Sequence, residues 1–110
     1  MPMFMYQFSY TPESWAAQMK SPQNRLEAIG GPICAAAGGK MVGGWYCFGE
    51  YDVVLIAEMP DNQSMAAIAL AIGSGGAIAN SKTTVLMSGA EGVAAMTKAA
   101  ATAKAYRPAR

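Results

Sequence analysis

Residues 43–58 read Gly43-Gly44-Trp45-Tyr46-Cys47-Phe48-Gly49-Glu50-Tyr51-Asp52-Val53-Val54-Leu55-Ile56-Ala57-Glu58. Aromatic and β-branched residues fill both arms, and these suit a pleated, half-buried surface. The stretch therefore predicts a β-hairpin. Gly49-Glu50 fits a two-residue type II′ turn, with glycine taking φ > 0 at the first central position. That turn sets Phe48 opposite Tyr51 and Cys47 opposite Asp52. Side chains alternate along a strand, so Val42, Gly44, Tyr46, Val53 and Leu55 share one face. Met41, Gly43, Trp45, Val54 and Ile56 share the other. Both faces are largely apolar, and the hairpin needs cover on two sides.

Upstream, residues 3–10 alternate in the same way, with Phe4, Tyr6, Phe8 and Tyr10 on one side and Met3, Met5, Gln7 and Ser9 on the other. This is a strand with an aromatic face. Thr11-Pro12-Glu13 supplies an N-cap, a proline at the first helical position and an acid in the first turn. Ser21-Pro22 repeats that start signal, so the first helix is short. From there Leu26, Ile29, Ile33 and Cys34 recur at helical spacing, interrupted by Gly30-Gly31-Pro32. Proline removes a helical hydrogen bond and collides with the carbonyl four residues back, which predicts a kink or restart at Pro32. Gly38-Gly39 closes the helix.

Downstream of the hairpin, Pro60-Asp61 caps a helix from Asn62 to about Ile72, with Met65, Ile68, Ala69 and Ile72 along one stripe. Gly73-Ser74-Gly75-Gly76 reads as a loop and residues 82–87 as the fourth strand. Ser88-Gly89-Ala90-Glu91 is a capping box opening an alanine-rich helix to about Lys104. Strand, helix, hairpin, helix, strand, helix predicts an α+β domain with a four-stranded antiparallel sheet and helices on one face. Residues 1–104 form a single domain, and 105–110 a basic, loose tail. The bare sheet face is apolar, so a homodimer or higher homo-oligomer with a shared interior is the economical arrangement.

Composition narrows the chemistry. Hydrophobic residues make up 53% of the chain and charged ones 14%, against about a quarter in typical domains. A net charge of +1 offers no field for nucleic acid or an acidic membrane, and no apolar run reaches the ~20 residues of a membrane span. No histidine is present, which removes the commonest metal ligand and the Ser-His and Cys-His nucleophiles. Cys34 and Cys47 are not spaced as a zinc pair. They fit reduced thiols in a cytoplasmic protein without a targeting peptide. No cofactor and no metal are expected.

At Gly49-Glu50-Tyr51-Asp52, a Gly-x-Tyr-Asp motif opening an apolar strand, the chain resembles the GYD domain family. Tyr10-Thr11-Pro12-Glu13, Ser21-Pro22 with Arg25-Leu26-Glu27, Gly38-Gly39, Pro60-Asp61 and the small-residue helix ending in Gly73 and Gly76 carry the same resemblance, over about residues 3–87. It implies a ferredoxin-like βαββαβ fold of the dimeric α/β-barrel kind, here with an extra C-terminal helix. It implies no established reaction. Gly30-Gly31-Pro32 and the plain alanine-rich end depart from the family pattern.

Candidate site residues gather around the turn. Asp52, beside Trp45 in an apolar strand, is the candidate proton-transfer group, since desolvation favours a carboxyl base. Alternatively it accepts backbone hydrogen bonds near the turn, as aspartates there commonly do. Tyr51 is the second catalytic candidate, able to orient a substrate or simply to pair with Phe48. Tyr6, Tyr10, Trp45, Tyr46 and Gly49 are candidates for lining a cleft that takes a small, mostly apolar molecule. The sequence thus leads to an oligomeric domain binding such a molecule. A cofactor-independent monooxygenase or isomerase, or a structural assembly module, are the alternatives.

Overall fold

Phe4, Tyr6 and Phe8 anchor the core from strand β1, Met3–Tyr10, in which alternate residues are buried up to Phe8 and Tyr10 is half-buried. The computed structural model describes residues 1–109. Thr11 caps helix α1, Pro12–Lys20, its side chain accepting from the Ser14 N–H. The second start signal goes unused: the Asn24 side chain instead accepts from the Leu26 and Glu27 N–H groups. A π-helical turn, Leu26–Gly30, then runs directly into helix α2, Gly31–Ala36, with Pro32 in its first turn. The wider turn spaces the backbone ahead of a residue that cannot donate, so the expected interruption at Pro32 takes the form of a π turn. Gly38 ends α2 at φ 87, and the Gly39 and Gly38 N–H groups donate to the Cys34 and Ala35 carbonyls. That is a Schellman closure.

Strands β2, Lys40–Tyr46, and β3, Val53–Glu58, form the hairpin. Its register is the predicted one, with Tyr46 against Val53 and the Cys47 N–H donating to the Asp52 carbonyl. Two local features differ. Gly49 does not have positive φ, so the connection is a six-residue loop, 47–52, and not a two-residue II′ turn. A bulge between Met41 and Gly43 also turns Met41 to the helix side, where its sulfur lies near Gly30.

Asp61 caps helix α3, Asn62–Ser74, through the Ser64 N–H. The helix runs past the expected stop and ends before Gly76, φ 77. Strand β4, Ile78–Leu86, begins four residues earlier than residues 82–87 suggested, because Ser9 and Tyr10 of β1 pair with Asn80 and Ile78. Ser88 and Glu91 form the capping box of helix α4, Gly89–Thr102, and a 3-10 turn, Ala103–Ala105, follows. Residues 106–109 carry no regular structure, and Arg110 of the expected tail lies outside the described residues.

The four strands are antiparallel in the order β2-β3-β1-β4, the ferredoxin-like arrangement. The α1–α2 crossover and α3 lie over one face, and the core is the layer between: Phe4, Tyr6 and Phe8 with Val53, Leu55 and Ala57, met by Cys34, Met65 and Ile68. On the other face Met5 pairs with Ile56 and Trp45 with Val54; Trp45 is 57% exposed. None of α4 is buried. The radius of gyration is 17.4 Å, against about 13 Å for a compact chain of this length. The protein is a two-layer body with an arm.

Candidate functional site

Three elements end together beside the 47–52 loop: the end of β1, the start of β3 and the start of β4. There the helix layer stands off the sheet and leaves a cavity of about 320 Å³. Its floor is Phe8 and Tyr10 of β1, Leu55 of β3 and Ile78 of β4. Its roof is Leu26, Ile29, Gly30 and Ile33 from the π turn and α2, with Ala71, Ile72 and Gly75 from the end of α3. The volume sits at the small end of the ~300–1,000 Å³ of ligand pockets. A π turn in its wall is a further mark, since such turns gather at functional sites.

Polar groups occur at one place in the wall. Arg25 is the one charged residue among those lining the cavity, and Tyr10 is its neighbour there. Burial pushes the Tyr10 phenol above its usual pKa and the adjacent Tyr46 adds to this, while the Arg25 guanidinium beside it pulls the other way. The Tyr46 hydroxyl accepts from the backbone N–H of Arg25 at 3.2 Å, which fixes where the arginine leaves the chain. A phenol and a guanidinium thus meet at the mouth of an otherwise apolar space, with the Tyr46 hydroxyl held on the Arg25 backbone outside its wall.

Behind this mouth lies Asp52. Its Oδ2 accepts from the Tyr10 N–H at 2.9 Å and from the Trp15 indole N–H at 3.2 Å, and its own N–H donates to the Phe8 carbonyl. One carboxylate therefore ties the hairpin loop, the end of β1 and α1 together. The Tyr10 and Trp15 rings meet edge to face with centroids 5.0 Å apart. Asp52 positions Tyr10 and does not itself line the cavity.

The other candidates are dispersed. Tyr46 and Phe48 border a second, more open hollow with Trp15, Met19 and Pro22, and Phe48 is 96% exposed. Tyr51 is half-buried, and its carbonyl accepts from the Cys47 thiol. Gly49 is exposed in the loop. Trp45 lies on the opposite face of the sheet, over Gly43, where a Cβ would strike the indole. Tyr6 is buried in the core, and its hydroxyl makes no hydrogen bond. Sequence reasoning placed Leu26, Ile29, Ile33 and Ile72 as stripes without seeing that they surround a space, and it passed over Arg25 as a ligand contact. The available signal was a cation immediately before the first apolar position of a helical stripe.

The GYD domain profile matches residues 4–97. The chain belongs to the GYD domain family. Solved structures of the same fold include FFRP-DM1, 15% identical with a TM-score of 0.54 over 79% of this GYD domain and 100% of that chain. TTHA0845 from Thermus thermophilus is 15% identical with a TM-score of 0.52, over 80% and 95%. An uncharacterized NIPSNAP domain protein from Burkholderia xenovorans is 16% identical with a TM-score of 0.50, over 82% and 96%. At these identities the likeness speaks for the fold. No curated protein matches the sequence.

Among the described residues, no three His, Cys, Asp or Glu side chains come together as a metal site. Among the same residues, no helix is long and apolar enough to cross a membrane.

Proposed function

We propose that this GYD domain binds a small, mostly apolar molecule in the cavity at the end of the sheet that carries the 47–52 loop. The observation behind the reading is an apolar space of about 320 Å³ in a domain of only 110 residues. All of its wall but Arg25 and Tyr10 is apolar, and an apolar cleft with a few polar groups gathered at one place is the usual form of a small-molecule site. Occupancy at 100 times Kd stabilises the fold by about 2.7 kcal/mol, so thermal unfolding against a panel of small apolar molecules tests the reading. A binder should raise the midpoint of the wild type and not of Ile72→Trp, which fills the space. Equal shifts in both proteins refute it.

A second reading concerns assembly: the domain works as a homo-oligomer through its open sheet face and α4. Trp45, Met5, Val54 and Ile56 on that face favour it, as does a helix with no buried residue. Isolated helices shorter than about 12–15 residues are marginal in water, so α4 needs a surface to lie on. Four strands of about seven residues offer a face of roughly 450 Å², short of the ~800 Å² per partner of a standard interface. The remainder has to come from α4 in this reading. Ile56→Lys should give a folded monomer by light scattering; an unchanged assembly rules the face out. The two free thiols suit a reducing compartment such as the cytoplasm.

A further inference from the structure

We propose that the molecule held in this cavity is a small amphiphile ending in a carboxylate, with its anionic group on Arg25 and Tyr10 and its apolar body under the π turn. The inference rests on the binding reading above and adds a chemical class to it. The cavity wall holds one cation and no acid. Arg25 is half-buried at the open mouth of the cleft, and an anionic group there gains a charge-assisted partner that the rest of the wall cannot offer. The guanidinium's planar fork matches a carboxylate through two parallel hydrogen bonds.

The neighbours strengthen that match. Tyr10 brings a second donor to the same spot, and its backbone is fixed by Asp52. Tyr46 accepts from the Arg25 backbone N–H, so the arginine's position does not depend on its own side chain being occupied. All remaining lining groups are aliphatic, aromatic or glycine, which leaves nothing to satisfy a second polar end. A ligand with one anionic terminus and one apolar body answers both halves of the wall.

Octanoate, 1-octanol, octylamine and octyl phosphate are matched probes for calorimetric titration of the full chain. The wild type should bind octanoate about tenfold or more tighter than 1-octanol, the low end of what charge-assisted hydrogen bonds contribute. Arg25→Gln should erase that preference by weakening octanoate binding about tenfold more than 1-octanol binding. Tyr10→Phe should reduce it partly, and octanoate binding should weaken as pH falls through the carboxyl range. Equal wild-type affinity for octanoate and 1-octanol, or preference for octylamine or octyl phosphate, overturns the carboxylate assignment while the binding reading stands. So does an Arg25→Gln variant that loses both ligands equally. Failure of all four probes to bind overturns both readings.

Discussion

Replacing Asp52 by alanine removes the acceptor on which two separate donors converge, the Tyr10 N–H at 2.9 Å and the Trp15 indole N–H at 3.2 Å. A hydrogen bond to a charged group contributes about 1.5–3 kcal/mol net. These two share one oxygen in a half-buried setting, so the lower value applies to each and the expected loss is about 3 kcal/mol. For a small domain with a total stability of about 5–15 kcal/mol that is a large fraction. Asp52→Asn keeps an amide oxygen able to accept from both donors and should lose only about 1 kcal/mol. Trp15→Phe keeps the edge-to-face packing on Tyr10 and removes one donor, costing about 1.5 kcal/mol. Urea unfolding followed by far-UV circular dichroism, at one protein concentration throughout, measures all three. If the carboxylate is the tie, Trp15→Phe costs much less on the Asp52→Ala background than alone. An Asp52→Ala variant within about 0.5 kcal/mol of wild type, the range of ordinary surface changes, would show that the loop holds without it.

Tyr6→Phe should leave stability unchanged or raise it by up to about 1 kcal/mol, because the hydroxyl it removes is buried without a partner; a clear loss in urea unfolding would mean that Ser81, which pulls against the burial effect on this phenol, bonds to it. Burial raises the pKa of Tyr6 and of Tyr10 above 10.0 and that of Cys34 above 9.0. The folded state therefore holds these protons longer than the unfolded chain does. Their stabilisation is complete below about pH 9 and is lost as pH climbs through the raised values, so the urea midpoint should fall on the alkaline side, less steeply in Tyr6→Phe. Gly39→Ala should cost about 2–3 kcal/mol, since its Cβ would collide with the Glu58 carbonyl and the Met59 sulfur; expression at wild-type stability would mean that β3 yields there. Pro32→Ala frees a backbone donor and should let the π turn relax toward α-helix, drawing Ile29 across the cavity and weakening ligand binding in calorimetry.

Helix starts were legible because their chemistry is local. Thr11, Asp61 and Ser88 each cap a helix using an N–H three residues away, and a sequence displays that spacing directly. The four-stranded antiparallel sheet followed from alternation and from the split pattern of elements, and its ferredoxin-like order from the family resemblance. What failed was decided by partners far along the chain. Gly49 suggested a tight turn, yet the loop opens to six residues because the Asp52 side chain is taken by Tyr10 and Trp15, some forty residues earlier. The fourth strand was expected only from residue 82, and β1 extends it back to Ile78 through backbone pairing of Ser9 and Tyr10 with Asn80 and Ile78. One miss was local instead: Asn24 displaced the Ser21-Pro22 start because its side chain reaches the Leu26 and Glu27 N–H groups at once.

The cavity was illegible for a different reason: a hydrophobic stripe records which residues face inward, not whether they meet. Leu26, Ile29 and Ile33 on one side and Phe8 and Leu55 on the other would fill a core if the layers closed. Between them stand Gly30, Ala71, Gly75 and Ala77, and small residues at those places leave the space unfilled. Adding side-chain bulk there is partly blocked, since a Cβ on Gly30 would already meet the Met41 sulfur at 2.9 Å. Met41 reaches that position only through the bulge in β2, and Gly30 only through the π turn. Two backbone irregularities, neither visible as periodicity, thus set the roof height. Arg25 opens the π turn, so the same irregularity that creates the space also places the one cation at its mouth. Straightening the helix would close the cavity and swing the charge away together, which is why emptiness and charge here are one property of the backbone and not two coincidences of side chains.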